Sequence, residues 1–167
     1  MAPAFRKLAL AVHLTVSLGW IGAVVVYLVL GVAAETSESA ETVRAAWIAM
    51  ELTGWLAIAP MAVTALLTGL VMSLGTPWGL FKHYWVLISL LLTAISTVVL
   101  LLHMPDVSST ADLAREAEGT HLTGLGGDIL HPGLGLVVLL AITALNIYKP
   151  RGMTPYGWRK QQDMRKR

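Results

Sequence analysis

The segment from Tyr84 to Leu102 contains no charged residue, and a histidine stands on each side of it, His83 and His103. About 20 apolar residues form a helix long enough to cross the hydrocarbon core of a bilayer. Such a helix satisfies its backbone hydrogen bonds internally, as an apolar medium requires. The segment therefore predicts a transmembrane helix with a histidine at each membrane boundary.

Three further apolar runs make the chain a predicted four-helix membrane protein. The predicted spans cover about residues 8–33, 52–74, 84–104 and 132–148. Only 13% of the 167 residues are charged, whereas soluble domains average about 25%. Because four spans fill most of the chain, we predict one all-α transmembrane bundle over residues 1–167 that ends in a basic tail, residues 149–167.

The connectors predict where the spans begin and end. Residues 35–50 are acidic and rich in Ser and Thr, a pattern that predicts a short interfacial helix ending near Trp47. Pro60 removes one backbone donor inside the second span and predicts a kink there. Pro105 predicts the end of the third span, and residues 112–118 predict a separate short amphipathic turn or helix.

Basic residues are concentrated on one side of the predicted membrane. All but two of the 12 Lys and Arg residues lie in the N-terminal segment, the 75–82 turn or the tail. The positive-inside rule therefore predicts a multi-pass protein of the cell membrane with both termini in the cytoplasm. The small net charge of +2 suits a lipid bilayer as partner rather than nucleic acid. The absence of cysteine excludes disulfides and thiolate metal sites.

The first span carries a polar and aromatic face that we interpret as a cofactor site. His13, Ser17, Trp20 and Tyr27 recur on this face at helical spacing. A histidine on such a face inside a four-helix bundle can ligate a haem iron or another metal, with its second ring nitrogen held by a hydroxyl or carbonyl. The alternative is that His13 only forms a hydrogen bond between helices. The opposite side of the span is predicted to pack against a neighbour through small residues, Thr15, Gly19, Gly22 and Ala23.

The segment from His13 to Gly22, in which a histidine stands seven residues before a Trp-x-Gly, resembles the opening helix of the CopD-like membrane group. That group includes the copper-resistance D membrane domain and the HemJ-type protein, a small haem-binding four-helix protein. Residues 74–85 and 100–105 are similar to a family of small actinobacterial four-span proteins placed near this group. The likeness covers most of the chain.

The resemblance implies a b-type haem with His13 as an axial ligand and His83, which follows Lys82, as its partner. The implied function is membrane electron transfer or redox chemistry, in contact with a redox partner or a larger membrane complex. Residues 24–29 replace the Tyr/Pro/Arg cluster that follows the first motif in HemJ-type enzymes. HemJ-type enzymes oxidise protoporphyrinogen, and this difference argues against that reaction in the present chain.

Histidines near the other membrane boundary predict a second site. His103, His121, His131 and Asp128 are expected to converge because one loop joins the ends of the third and fourth spans. Three imidazoles and a carboxylate suit zinc or Cu(II), and the adjacent Met104 suits Cu(I). The alternative is that His103 is an interfacial residue and His131 a helix cap.

Helical phase separates the two histidines that bound the third span. His83 and His103 are 20 residues apart, about five and a half turns, and therefore point to nearly opposite sides of the helix. We accordingly assign His83 to the site of His13, and His103 to the second site. Three functions remain open: a haem protein, a copper- or zinc-handling membrane protein, and a non-catalytic accessory subunit that packs against partners or further copies of itself.

Overall fold

A computed structural model describes residues 2–75, 79–117, 122 and 124–165. Within these ranges the regular structure is helical, without a β-strand. The elements in chain order are α1 (Pro3–Thr36), α2 (Ala40–Thr53), a π-helical turn (Gly54–Ile58), α3 (Ala59–Gly75), α4 (Tyr84–Glu116), α5 (Leu130–Tyr148) and α6 (Pro155–Arg165).

In the part of the chain that the structure describes, four helical segments are long and apolar enough to cross a membrane, namely α1, α2 with α3, α4 and α5. Both α1 and α4 pack against α2, α3 and α5, so the four segments close into a ring. This arrangement confirms the predicted all-α four-helix transmembrane bundle. We call the end that carries both chain termini and the α3–α4 turn the basic end, and the opposite end the distal end.

The second segment is one helix from Ala40 to Gly75, and the prediction of a separate interfacial helix ending near Trp47 is wrong. Ser39 caps its start by accepting a hydrogen bond from the Thr42 amide. Just before Pro60, the amide of Ala59 bonds to a carbonyl five residues back. This π-helical turn absorbs the break that the missing proline donor imposes, so the helix continues.

Helix α4 runs through Pro105 to Glu116, so the predicted helix end at Pro105 is wrong, and residues 112–116 belong to α4 rather than to a separate turn or helix. The extension is stable because its apolar residues are buried in a core at the distal end. That distal core contains Val107, Ala111 and Ala114 from α4, and Val43, Ala46, Trp47 and Met50 from α2. With 33 residues, α4 is about 50 Å long, whereas a bilayer core is about 30 Å thick.

The most deeply buried face of α1 is its aromatic face, and the predicted packing of the small-residue face holds in part. Gly19 lies against Met61 of α3, whose sulfur would be 3.0 Å from a Cβ there, and Ala23 packs against the core. Trp20, Val24 and Tyr27 are at most 6% exposed. Gly22 is exposed, and no atom lies within 4 Å of the position that a Cβ would take there. Large aromatic side chains therefore fill the centre of the bundle, and part of the small-residue face is left open to lipid.

Helix α6 is held against the α3–α4 turn by Thr154. The Thr154 hydroxyl donates to the Phe81 carbonyl and accepts from the Gly157 amide, and the Thr154 amide donates to the Lys82 carbonyl. Gly157 is needed there because a Cβ would lie 2.5 Å from the Lys82 carbonyl oxygen. The basic tail is thus folded onto the basic end of the bundle.

Replacement of Arg44 by Gln is expected to destabilise the distal end. The Arg44 guanidinium donates to the carbonyls of Ala114 and Ala117, at 2.9 and 2.6 Å, and so satisfies the last turn of α4. Hydrogen bonds from a charged donor contribute about 2 kcal/mol, so thermal unfolding in detergent should begin at a lower temperature. Arg151→Gln, at an exposed position, is the control and should leave the midpoint of thermal unfolding unchanged. Equal unfolding midpoints for the two variants would contradict this role of Arg44.

Candidate functional sites

The first candidate site is a cluster of three side chains at the distal end, His103, Asp128 and His131. His103 Nε2 lies 2.7 Å from Asp128 Oδ2, and His131 Nδ1 lies 3.4 Å from Asp128 Oδ1. The two imidazole rings are stacked, with centroids 3.8 Å apart and planes inclined by 20°. One carboxylate therefore faces two parallel imidazoles. We call this group the distal cluster.

The loop before α5 places Asp128 beside α1. Two glycines allow the close contact between backbones that this position requires. A Cβ at Gly31 of α1 would overlap the Asp128 carbonyl, and a Cβ at Gly127 would overlap the Gly31 carbonyl. The Gly127 amide donates to Glu35 Oε2 at 2.6 Å. The Trp47 indole donates to the Gly126 carbonyl at 3.0 Å, so α1 and α2 together hold the loop.

Tyr27 holds the carboxylate of Asp128 in place through a hydrogen bond. Its hydroxyl donates to Asp128 Oδ2 at 3.0 Å, and Tyr27 lies one helical turn before Gly31 on α1. The Asp128 side chain is 8% exposed, His103 is 19% exposed and His131 is 51% exposed. The cluster is therefore buried on the side of Tyr27 and open to the surroundings on the side of His131.

The distal cluster is able to hold a metal ion. One ligand atom from each of its three residues can be chosen so that all lie within 4.8 Å of one another. Imidazole nitrogens and a carboxylate oxygen form a common ligand set for zinc and related transition metals. The cluster borders a cavity of about 230 Å³ with mostly apolar walls.

The structure brings together three of the five residues predicted for the metal site. His121 lies outside the described residues. Met104 is 1% exposed. Its sulfur packs so closely against Gly54 that a Cβ added at position 54 would lie 2.6 Å from it. Tyr27, which the sequence analysis grouped with His13, lies at the distal cluster instead. The ligand roles themselves stay predictions.

The second candidate site is a cavity of about 710 Å³ at the basic end, between α1, α3, α4 and α5. We call it the inner cavity. Its walls are mostly apolar, and His13 and Ser17 of the predicted cofactor face line it. Three cationic residues also line it, two from the start of α1 and one from the end of α5, namely Arg6, Lys7 and Lys149.

His13 is held by Thr68 across the interface of α1 and α3. Its Nδ1 lies 2.9 Å from the Thr68 hydroxyl oxygen. That hydroxyl donates its one hydrogen to the Thr64 carbonyl at 2.7 Å, so it accepts from His13. We therefore assign the imidazole proton to Nδ1 and a lone pair to Nε2. This is the tautomer that a histidine needs to bind a metal through Nε2.

Two buried polar atoms along the inner cavity lack a hydrogen-bond partner among the described residues. They are the hydroxyl of Ser89 and the indole nitrogen of Trp20, and both residues line the cavity. An unpaired buried polar group costs about 1–3 kcal/mol. Both atoms are covered by neighbouring protein atoms, so neither faces the open space of the cavity.

The structure does not bring His83 to the inner cavity. His83 caps the start of α4 and pairs with Met153 in an isolated backbone bridge. Trp85 and Val86 line the cavity, whereas His83 is not among its lining residues in the part of the chain that the structure describes. Of the predicted cofactor residues, His13, Ser17 and Trp20 lie together, and His83 and Tyr27 lie elsewhere.

The two sites are separated by a thin layer of side chains. Trp20 and Leu139 line both the inner cavity and the cavity below the distal cluster. Sequence reasoning missed this arrangement and also missed the Tyr27–Asp128 hydrogen bond. The available signal was a glycine one turn after Tyr27 and the two glycines immediately before Asp128.

Comparison of the chain with protein-family models, curated proteins and solved structures finds no match. The fold is therefore described from this chain alone. Any function has to be argued from the chemistry of its two sites.

Replacement of Gly31 by Ala is expected to displace Asp128 and destabilise the protein. The added Cβ meets backbone rather than a flexible side chain, and overpacking of this kind costs about 1–3 kcal/mol. Gly22→Ala on the same helix is the matched control, because its Cβ enters open space. In that control variant the free energy of unfolding should rise by up to about 1 kcal/mol, because Ala has a higher helix propensity than Gly. Thermal unfolding followed by circular dichroism measures both, and a neutral Gly31→Ala would contradict the close contact.

Proposed function

We propose that this protein binds a b-type haem in the inner cavity and acts in membrane electron transfer, with His13 as the residue that would hold the iron. The observation that carries the proposal is His13 itself, which lines the inner cavity and is held through Nδ1 by the Thr68 hydroxyl. Ligand cavities of about 300–1,000 Å³ with apolar walls and a few polar groups are typical cofactor sites. The inner cavity, at about 710 Å³, is of this kind.

The residues around the cavity fit the chemical groups of a haem. A haem has an apolar macrocycle, an iron that takes imidazole, and carboxylates on one edge. The apolar walls suit the macrocycle, and Arg6, Lys7 and Lys149 provide cations for the carboxylates. Lys7 and His13 are six residues apart on α1, which is about 9 Å along the helix.

Each of these residues has a separate role. His13 offers Nε2 to the iron, and Thr68 fixes the ring orientation by accepting from Nδ1, as a partner of a metal-bound histidine does. Gly69 leaves room for the ring, since a Cβ there would lie 3.3 Å from His13 Cε1. Bound haem supplies reversible one-electron oxidation and reduction. The apolar side chains of the cavity exclude water from it.

The distribution of charge supports a cell-membrane location with the basic end in the cytoplasm. At that end lie Arg6, Lys7, Lys82, Lys149, Arg151, Arg159, Lys160 and Arg165. The inner cavity then opens towards the cytoplasmic side and the distal cluster lies near the outer side. The kinship with the CopD-like group, suggested by the residues around His13 and Trp20, is part of this proposal.

His13→Ala is expected to abolish the Soret band of the detergent-purified protein, because it removes the iron ligand. Thr68→Val should lower haem affinity about 10- to 100-fold, the usual effect of losing the partner of a metal-bound histidine. His83→Ala is the matched control and should retain a full band, since His83 lies outside the cavity. Absorption spectra of reduced and oxidised protein measure all three.

Two results would contradict the haem proposal. One is a colourless wild-type protein even after growth with added haem. The other is an undiminished Soret band in a folded His13→Ala variant. The first result would favour the accessory-subunit interpretation, in which the helices only pack against partners.

Single cysteines test the orientation, because the natural chain has none. Glu38→Cys lies in the exposed α1–α2 connector, and Arg151→Cys lies in the exposed segment after α5. In intact cells a membrane-impermeant maleimide should label Glu38→Cys, and it should label Arg151→Cys only after permeabilisation. The reverse pattern would place the basic end outside.

A further inference from the structure

We propose that the distal cluster is an exchangeable binding site for a divalent transition-metal ion of the Zn²⁺ class. This site is independent of haem in the inner cavity. The proposal starts from the donor set, two imidazoles and one carboxylate, which forms a site of the three-ligand type. Nitrogen donors favour zinc, copper or nickel over Ca²⁺ and Mg²⁺, which require oxygen ligands.

The distances are close to those of a metal site. Bonds of about 2.0–2.1 Å to zinc place neighbouring donor atoms of a tetrahedron about 3.4 Å apart. His103 Nε2 lies 2.7 Å from Asp128 Oδ2 and His131 Nδ1 lies 3.4 Å from Asp128 Oδ1, and one ligand atom from each residue can be chosen so that all lie within 4.8 Å of one another. The lone pair of an imidazole nitrogen lies in the ring plane, and the two rings are stacked at 3.8 Å with planes inclined by 20°. We therefore expect the exposed His131 ring to rotate out of the stack when an ion binds.

Tyr27 holds the carboxylate of Asp128 in place. Its hydroxyl donates to Oδ2 at 3.0 Å, His103 Nε2 lies 2.7 Å from the same oxygen, and His131 Nδ1 lies 3.4 Å from Oδ1. Each carboxylate oxygen has two acceptor sites, so the tyrosine hydrogen bond leaves both oxygens able to face an ion. Tyr27 is thus a positioning residue for the carboxylate, in the way that outer partners orient metal ligands.

The backbone around the cluster is fixed before any ion binds. Gly31 and Gly127 are in contact, and the hydrogen bonds from the Gly127 amide to Glu35 and from the Trp47 indole to Gly126 hold the same loop. A pre-organised ligand does not have to be ordered when the ion arrives, which favours binding.

Exposure indicates an exchangeable site rather than a permanently closed one. Structural zinc sites have four protein ligands, whereas three ligands leave a position for water or another donor. His131 is 51% exposed and Asp128 is 8% exposed, so an ion reaches the buried carboxylate from the side of His131. The apolar cavity of about 230 Å³ borders all three residues of the cluster.

Titration calorimetry of the detergent-purified full-length protein with Zn²⁺ tests the site, with Co²⁺ as a spectroscopic probe. We expect one saturable ion per chain and visible ligand-field absorption of bound Co²⁺. His131→Ala and Asp128→Asn should each weaken Zn²⁺ binding at least about 100-fold. Tyr27→Phe should weaken it about 10-fold, because the outer partner is lost and the ligands remain.

The controls separate this site from haem binding and from loss of fold. His13→Ala and His83→Ala should bind Zn²⁺ as the wild type does, whether or not haem is present. Circular dichroism must show native helix content in each variant, and the exposed His131→Gln replaces His131→Ala if the latter fails to fold. The proposal is overturned if the wild type binds no Zn²⁺ saturably, or if folded His131 and Asp128 variants bind it unchanged.

Discussion

The arrangement of polar groups in this bundle depends on the fact that hydrocarbon offers no hydrogen-bonding partners. Polar groups inside the bundle are therefore stabilised by partners within the protein. Most of them find a partner locally. Thr64, Thr93 and Thr97 donate to carbonyls four residues earlier on their own helices. Several polar groups instead interact with other segments of the chain, including Trp55 with Ser108 and Arg44 with carbonyls of α4. Two such contacts, His13 with Thr68 and Tyr27 with Asp128, lie in the candidate sites and orient side chains of a kind that can bind metals.

Hydropathy predicted the four spans well because a membrane requires long apolar helices whatever their tertiary contacts. It could not predict the helix ends at the distal side. Pro105 normally ends a helix, but burial of Val107 and Ala111 against α2 outweighs the loss of one backbone hydrogen bond. The same packing extends α2 beyond Trp47. Local signals failed there because the deciding contacts join residues that are far apart in the chain.

The candidate sites were predicted in part, for a similar reason. Helical periodicity gives the face of a residue correctly, and it grouped His13, Ser17, Trp20 and Tyr27 on one side of α1. Periodicity does not show that this face borders two different cavities. Tyr27 was therefore grouped with His13, although it lines the cavity at the distal cluster. His83 was assigned to the site of His13 from helical phase and from the resemblance, whereas in the structure it stands at the start of α4 and pairs through its backbone with Met153. Convergence of His103, Asp128 and His131 followed from a simple constraint, that one loop joins their helices.

The contact between Gly31 and Gly127 also has a consequence for recognising related chains. Neither glycine can be exchanged for a larger residue while the loop keeps its place, and Tyr27 and Asp128 are each fixed relative to one of them. A protein that retains the distal cluster should therefore show two short signatures together, Tyr-x-x-x-Gly late in its first helix and Gly-Asp-x-x-His at the start of its last. This pair of signatures spans 105 positions here, from Tyr27 to His131. Because it is set by backbone contact rather than by overall similarity, it can identify relatives after the lipid-facing residues have diverged.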